Sequence, residues 1–163
     1  MPNEKHVEVV HEGGMAFSAA MSSGHTLRFD GRESNTGGSP VETVLAALAA
    51  CSAMDVVSIA AKKRQVIERY VVHARARQRA EYPQVFPSIE LVHEVEGSDV
   101  SVAAIRRCIE LSAEKYCPVS AMLSAGATEV HHRYIVRNTG PSPFVAEGEV
   151  IVTGPHRRPD VVA

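Results

Sequence analysis

Three thiols, Cys51, Cys108 and Cys117, are the side chains of this sequence with the most chemistry to offer. A thiolate is a nucleophile and a reductant, and its reactivity is set by what stabilises its charge. Cys51 stands in LAALAACSAMDVV, with Asp55 one helical turn later on the same face. A carboxylate in so apolar a segment needs a polar partner, which implies a pocket or an interface. A carboxylate also opposes ionisation of a neighbouring thiol, so a reactive Cys51 requires an Arg or Lys as well. The plainer reading makes Cys51 a small buried hydrophobe among alanines. Cys117 stands in AEKYCPVSAML. Cys followed by Pro at a helix start places the sulfur near unpaired backbone N–H groups, which favours a thiolate. The competing reading is a cysteine that merely ends one helix. Cys108 has no such company and reads as core filler.

The elements that must position these groups follow from the pattern of the chain. Residues 5–30 read as a meander of three short strands, punctuated by Gly13-Gly14, Ser22-Ser23-Gly24 and Asp30-Gly31. Residues 30–38 are polar and Gly-rich, hence loop. Ser39-Pro40-Val41-Glu42 then combines an N-cap, a first-turn Pro and a capping-box Glu. The helix it starts is predicted over 40–63 and is apolar on every side, so it needs cover on every side. Strands are expected within 67–95, a second helix over 101–116, a short helix after Cys117-Pro118 and a strand over 128–136. The stretch 138–163, with prolines at 141, 143, 155 and 159, reads as a loose tail around one candidate strand, 147–153, with a disordered end. The order gives a single α+β domain over 1–163 without βαβα alternation. One layer of five or six strands cannot enclose an all-round apolar helix, so a second copy is expected to.

Composition narrows the function classes. Seventeen basic residues against nineteen acidic ones, a net of −2, argue against nucleic acid as a partner. The start, MPNEKHVEVV, lacks the apolar core of a signal peptide, and Glu42 and Asp55 interrupt the one stretch that invites a membrane reading. A cytoplasmic protein with no membrane partner is expected. Eight histidines show no HExxH or Cys/His ligand spacing and read as scattered surface residues. His131 and His132 should face opposite sides of a strand. The stripe His73, Arg75, Arg77, Arg79 reads as a solvated sheet face, for it lacks interleaved aromatics. No dinucleotide, phosphate-loop or serine-elbow pattern occurs. No metal and no cofactor are expected.

Residues 37–64, GGSPVETVLAALAACSAMDVVSIAAKKR, resemble the first central helix of OsmC/Ohr proteins, and residues 111–123, LSAEKYCPVSAML, resemble the second cysteine motif of that family. Cys51 and Cys117 are 66 positions apart, which is also similar to the family's separation. The resemblance covers about residues 5–137 and is nearest the OsmC-like branch with a C-T/S-A-x-D-V type motif. It implies an α+β fold with two long central helices wrapped by antiparallel sheets, in an intertwined homodimer with sites at the interface. It further implies that Cys51 attacks an organic hydroperoxide and becomes a sulfenic acid. Cys117 then resolves it as a disulfide, and a dithiol, lipoyl-linked in this family, reduces the pair. An Arg from the N-terminal region and a Glu near the start of the first helix are implied to activate the thiolate.

The chain departs from that pattern. The family Glu lies ten residues before the first cysteine, where this sequence has Val41. Glu42 is nine residues before Cys51, on the opposite side of the helix and about 13 Å along its axis. Its capping-box role already accounts for it. For the Arg, Arg28 and Arg32 are the candidates, with Arg28 preferred because it lies in a predicted strand. Two functions therefore stand side by side: a Cys51/Cys117 organic hydroperoxide peroxidase assisted by Arg28 and Glu42, and a non-catalytic dimer that binds a small apolar molecule in the interface cleft.

Overall fold

The structure, a computed structural model, describes residues 4–31 and 34–150. Its contacts group the chain into two units, Met1–Val44 and Leu45–Ala163. The N-terminal unit is a three-stranded antiparallel meander of β1 (Val7–Gly13), β2 (Ala16–Met21) and β3 (Thr26–Phe29), in the order β1-β2-β3. Gly13 and Gly14 both have positive φ, which lets the β1–β2 register shift as the chain reverses. Asp30 closes β3 by accepting hydrogen bonds from Ser34 Oγ and from the backbone and hydroxyl of Thr36, which hold its carboxyl low, at about 2.

Helix α1 (Pro40–Lys62) begins as the sequence predicts. The backbone N–H of Ser39 donates to Glu42 Oε2 at 2.8 Å and the N–H of Glu42 donates to Ser39 Oγ at 3.3 Å, a reciprocal capping box. It stops where Arg64 adopts a left-handed conformation and the Gln65 N–H donates back to Ala60 O. By length and composition α1 could cross a membrane, yet it turns Leu48, Ser52, Val56 and Ala60 inward as a buried i, i+4 line. Its all-round apolar character is not matched by all-round burial in one chain. Ala47, Ala50, Met54, Val57 and Ala61 form an exposed stripe, with Met54 at 74% and Val57 at 49% exposure.

The C-terminal unit carries a four-stranded sheet in the order β4-β5-β6-β7, from β4 (Arg69–Ala76), β5 (Ser88–Gly97), β6 (Glu129–Asn138) and β7 (Phe144–Val150). Three differences from expectation appear. β5 and β6 run parallel rather than antiparallel, because helices connect them and a helical crossover returns the chain in the same direction. The stretch expected as a loose tail contains β7, paired with β6 from Asn138↔Phe144 to His132↔Val150; the end of the candidate strand 147–153 and the tail 151–163 lie outside the described residues. The second helix is not regular to 116. It is α2 (Val102–Leu111), capped by Ser101, followed by a π-helical turn at Ser112–Tyr116, and then α3 (Pro118–Ser124) with Cys117 as its N-cap.

On its inward face the unit forms two apolar clusters. One gathers Val56, Ala60, Val95, Ile105, Cys108, Ile109 and Val136, and the other Leu48, Ile89, Leu91 and Cys117. Burying one such aliphatic side chain contributes about 1.5–3 kcal/mol. The inward residue between the clusters is polar on each element: Ser52 on α1, His93 on β5 and His132 on β6. A polar seam thus divides the core.

Candidate functional site

Cys51, Asp55 and Cys117 come together within the C-terminal unit. One side-chain ligand atom from each, two sulfurs and a carboxylate oxygen, all lie within 4.8 Å of one another. Helix α1 supplies Cys51 and Asp55 on one face, both half-buried on the rim beside the inward line. The π-helical turn supplies the third group. It fits one extra residue into the turn, so the Cys117 N–H donates to Ser112 O at 2.9 Å, five residues back. Cys117 then leaves the helix in extended conformation, and its sulfur accepts a hydrogen bond from Ser120 N at 3.3 Å.

Asp55 finds the partner that its apolar setting demands. Ser112 Oγ donates to Asp55 Oδ2 at 2.9 Å and lies 3.3 Å from Ser52 Oγ. Helical periodicity alone does not mark Ser112 as a polar anchor, because a small residue is tolerated at an inward position of a regular helix.

The N-cap geometry of Cys117 does not produce the thiolate expected of it. Burial pushes this thiol well above its ordinary value, and its hydrogen bond to Cys51 and the charges of Cys51 and Asp55 push in the same direction; Ser120 N opposes them. Cys108 is fully buried in the larger apolar cluster, and burial raises its thiol too. All three cysteines are free thiols.

The other candidates belong to the N-terminal unit. Arg28, on β3, donates to Glu12 Oε2 at 2.7 Å and to Thr36 Oγ1 at 3.0 Å. Glu42 accepts from both the N–H and the hydroxyl of Ser39 in the capping box. Arg32 lies outside the described residues.

Two histidines overturn the surface reading of that residue type. His93 and His132 are fully buried, whereas His131 is exposed on the other side of β6, as alternation predicts. Tyr70 Oη lies 2.7 Å from His93 Nδ1, and His93 Nε2 lies 3.2 Å from His132 Nδ1, with the two imidazoles stacked at 5.4 Å. His132 Nε2 has no hydrogen-bond partner among the described residues. Desolvation, then the charge of His132, lowers His93 to about 3, and desolvation with the charge of His131 lowers His132 to about 4. Both rings are therefore neutral at physiological pH. Desolvation raises Tyr70, with further contributions from Cys108 and Asp55, which links this end of the seam electrostatically to the cysteine site. The basic stripe, by contrast, is a solvated face: His73 lies 3.4 Å from Glu94, and Arg133 lies within 4 Å of Glu90 and Glu149.

Residues 32–133 match the family described as OsmC-like protein. The chain is 42% identical to Protein YhfA of Escherichia coli K12 over 123 residues, 76% of this chain and 91% of that protein. Among solved structures, a hypothetical protein from Aquifex aeolicus VF5 is similar with a TM-score of 0.73 and 26% identity, covering 83% of this chain and 97% of that one. The organic hydroperoxide resistance protein OhrB of Bacillus subtilis shares the fold, with a TM-score of 0.58 and 19% identity over 79% of this chain and 97% of that one.

Proposed function

The chain belongs to the OsmC-like protein family, and from that premise we propose that it is a thiol-dependent peroxidase for organic hydroperoxides. The observation that carries the reading is the approach of Cys51 and Cys117, brought within 4.8 Å of each other from segments 66 positions apart. In this reading the Cys51 thiolate attacks the peroxide oxygen, the O–O bond breaks, and the leaving alkoxide takes a proton to become the alcohol. The Cys51 sulfenic acid is then attacked by Cys117, water leaves, and a Cys51–Cys117 disulfide forms. A dithiol, lipoyl-linked in the family resemblance, returns both thiols. Cys117, held protonated by burial and by its bond to Cys51, is suited to the second step and not the first. Half-buried Cys51 is the one a small peroxide reaches. Arg28 and Glu42 are the candidates for the activating roles. Support from relatives is a name: OhrB of Bacillus subtilis is called an organic hydroperoxide resistance protein.

The working form in this reading is a cytoplasmic homodimer. The exposed stripe Ala47, Ala50, Met54, Val57, Ala61 repeats at spacings of three and four, the pattern of a helix that packs on a partner. The competing function, a non-catalytic dimer that binds a small apolar ligand in its cleft, draws support from the negative charges beside Cys117, which oppose thiolate formation at that sulfur.

One experiment separates the two. Reduced protein receives one equivalent of cumene hydroperoxide, and its disulfides are mapped by non-reducing peptide mass spectrometry. A dithiol-reversible Cys51–Cys117 linkage is expected. If both thiols stay free over hours, or if Cys108 replaces either partner, the peroxidase reading fails and the binding protein stands.

A further inference from the structure

We propose that the reduced Cys51–Asp55–Cys117 cluster is a binding site for a thiophilic divalent cation of the zinc class. The inference needs only the reduced thiols and stands apart from the peroxidase reading.

The donor set comes first. Two sulfurs and one carboxylate oxygen already converge within 4.8 Å. A tetrahedral zinc ion holds its sulfurs about 3.8 Å apart and a sulfur and an oxygen about 3.5 Å apart, from bonds of about 2.3 and 2.0 Å. From that 4.8 Å limit the sulfur pair closes by about 1 Å or less and each sulfur–oxygen pair by about 1.3 Å or less, within the reach of side-chain rotation. Three protein donors leave the fourth position of a tetrahedral ion for a water or other small ligand. Two sulfur ligands select zinc, cadmium or cobalt over magnesium and calcium, which require oxygen shells.

The surroundings supply what metal ligands require. Asp55 Oδ2 accepts from Ser112 Oγ, which orients the carboxylate. Cys117 Sγ accepts from Ser120 N, which fixes the second sulfur. Binding displaces two thiol protons to the medium: one dication, two thiols and one carboxylate become a complex of net charge −1 and two protons. The ligands come from α1 and from the N-cap of α3, with no spacing motif, so the set is invisible to a search for Cys/His patterns.

The same sulfurs cannot hold a metal and form a disulfide. A hydroperoxide that oxidises the loaded site must take two electrons from the two thiolates and two hydrogen ions from the buffer. The products are the disulfide, the alcohol, one water and the free dication. Metal binding and peroxide reduction would thus be mutually exclusive states of one pair.

The test uses full-length, reduced, chelator-stripped protein in the absence of oxygen, titrated with cobalt(II). One equivalent per chain is expected, with sulfur-to-cobalt charge transfer in the near ultraviolet and the strong visible bands of tetrahedral cobalt, all removed by one equivalent of zinc. Cys108→Ser should bind as the parent does. Cys51→Ser and Cys117→Ser should weaken zinc by 100-fold or more, on the scale of losing a primary ligand, and Asp55→Asn by at least about 10-fold with charge transfer retained. A measurement that needs no variant is zinc protection from iodoacetamide: Cys51 and Cys117 should be shielded and Cys108 unaffected by zinc. Octahedral cobalt spectra, equal binding in Asp55→Asn, or no protection of Cys51 and Cys117 would each overturn the proposal. The peroxide experiment on metal-free protein reads the other hypothesis separately, since disulfide formation without metal binding leaves the peroxidase standing and removes only the metal site.

Discussion

Acidification between pH 6.5 and pH 4 should unfold this protein far more steeply than its exposed charges require, because of His93 and His132. Folding holds both rings neutral, at about 3 and about 4, against an ordinary value of 6.5. Above pH 6.5 the rings are neutral in both states and contribute no pH dependence. As pH falls below 6.5 the unfolded chain takes up two protons that the folded chain refuses, so stability drops, through both rings to about pH 4 and through His93 alone to about pH 3. Each pH unit per ring is worth about 1.4 kcal/mol. At pH 5, then, the two rings together withdraw on the order of 4 kcal/mol, a large part of the roughly 5–15 kcal/mol that holds a domain folded. Asp30 acts in the same direction but lower, since its carboxyl is held at about 2 and its loss begins only below its ordinary value of 3.8.

The assay is urea unfolding at fixed protein concentration across pH 8 to 4.5. Far-UV circular dichroism serves as the probe, since the chain has no Trp. His132→Gln removes one of the two titrating rings and should reduce the pH slope from about two protons to about one. Imidazole NMR of the folded protein reads the same quantity directly, and two resonances should stay neutral down to pH 5. If every histidine of the folded protein titrates near 6.5, or if His132→Gln leaves the slope unchanged, the polar seam does not have the electrostatics derived for it.

Other perturbations test the remaining layers. Ile109→Ala, in the fully buried cluster beside Cys108, should cost about 2–5 kcal/mol in urea unfolding. Ser112→Ala removes the hydroxyl donor of Asp55 and should cost about 1.5–3 kcal/mol at pH 7, with a smaller loss in the background of Asp55→Asn, measured as a double-mutant cycle. Val57→Asp, which leaves the inward line of α1 untouched, should convert the proposed dimer to a monomer of 17.6 kDa in sedimentation equilibrium. An unchanged dimer mass would exclude the exposed stripe as the interface.

Local signals carried the α+β class and most element boundaries. Ser39-Pro40-Val41-Glu42 marks the start of α1 within the sequence because a capping box is a contact between near neighbours, and the structure forms it as written. The alternation of 129–138 separates exposed His131 from buried His132 for the same reason. What escaped was set by distant partners. β7 lies between prolines at 141 and 143 and the last residues of the chain, and β6, which pairs with it, is the reason it is a strand. The parallel β5–β6 pair follows from the helices between them, which no strand pattern records.

The site divides along the same line. Cys51, Asp55 and Cys117 stand out because each is chemically conspicuous where it sits: a thiol and a carboxylate in an alanine-rich helix, and a cysteine before a proline. Their convergence depends on the π-helical turn, and Ser112–Tyr116 carries no residue that announces one. A regular α-helix would pair the Cys117 N–H with Ala113 O; instead it reaches Ser112 O, whose side chain also anchors Asp55. One serine therefore joins the backbone irregularity that positions the second sulfur to the carboxylate beside the first. This explains why the residue is polar at a position where helical periodicity asks for an apolar one. The break in the apolar pattern at 112, set against a Cys-Pro five residues later, is the signal the sequence did contain. Periodicity at 102, 105 and 109 hid it, because small residues are tolerated on an inward helix face without any special role.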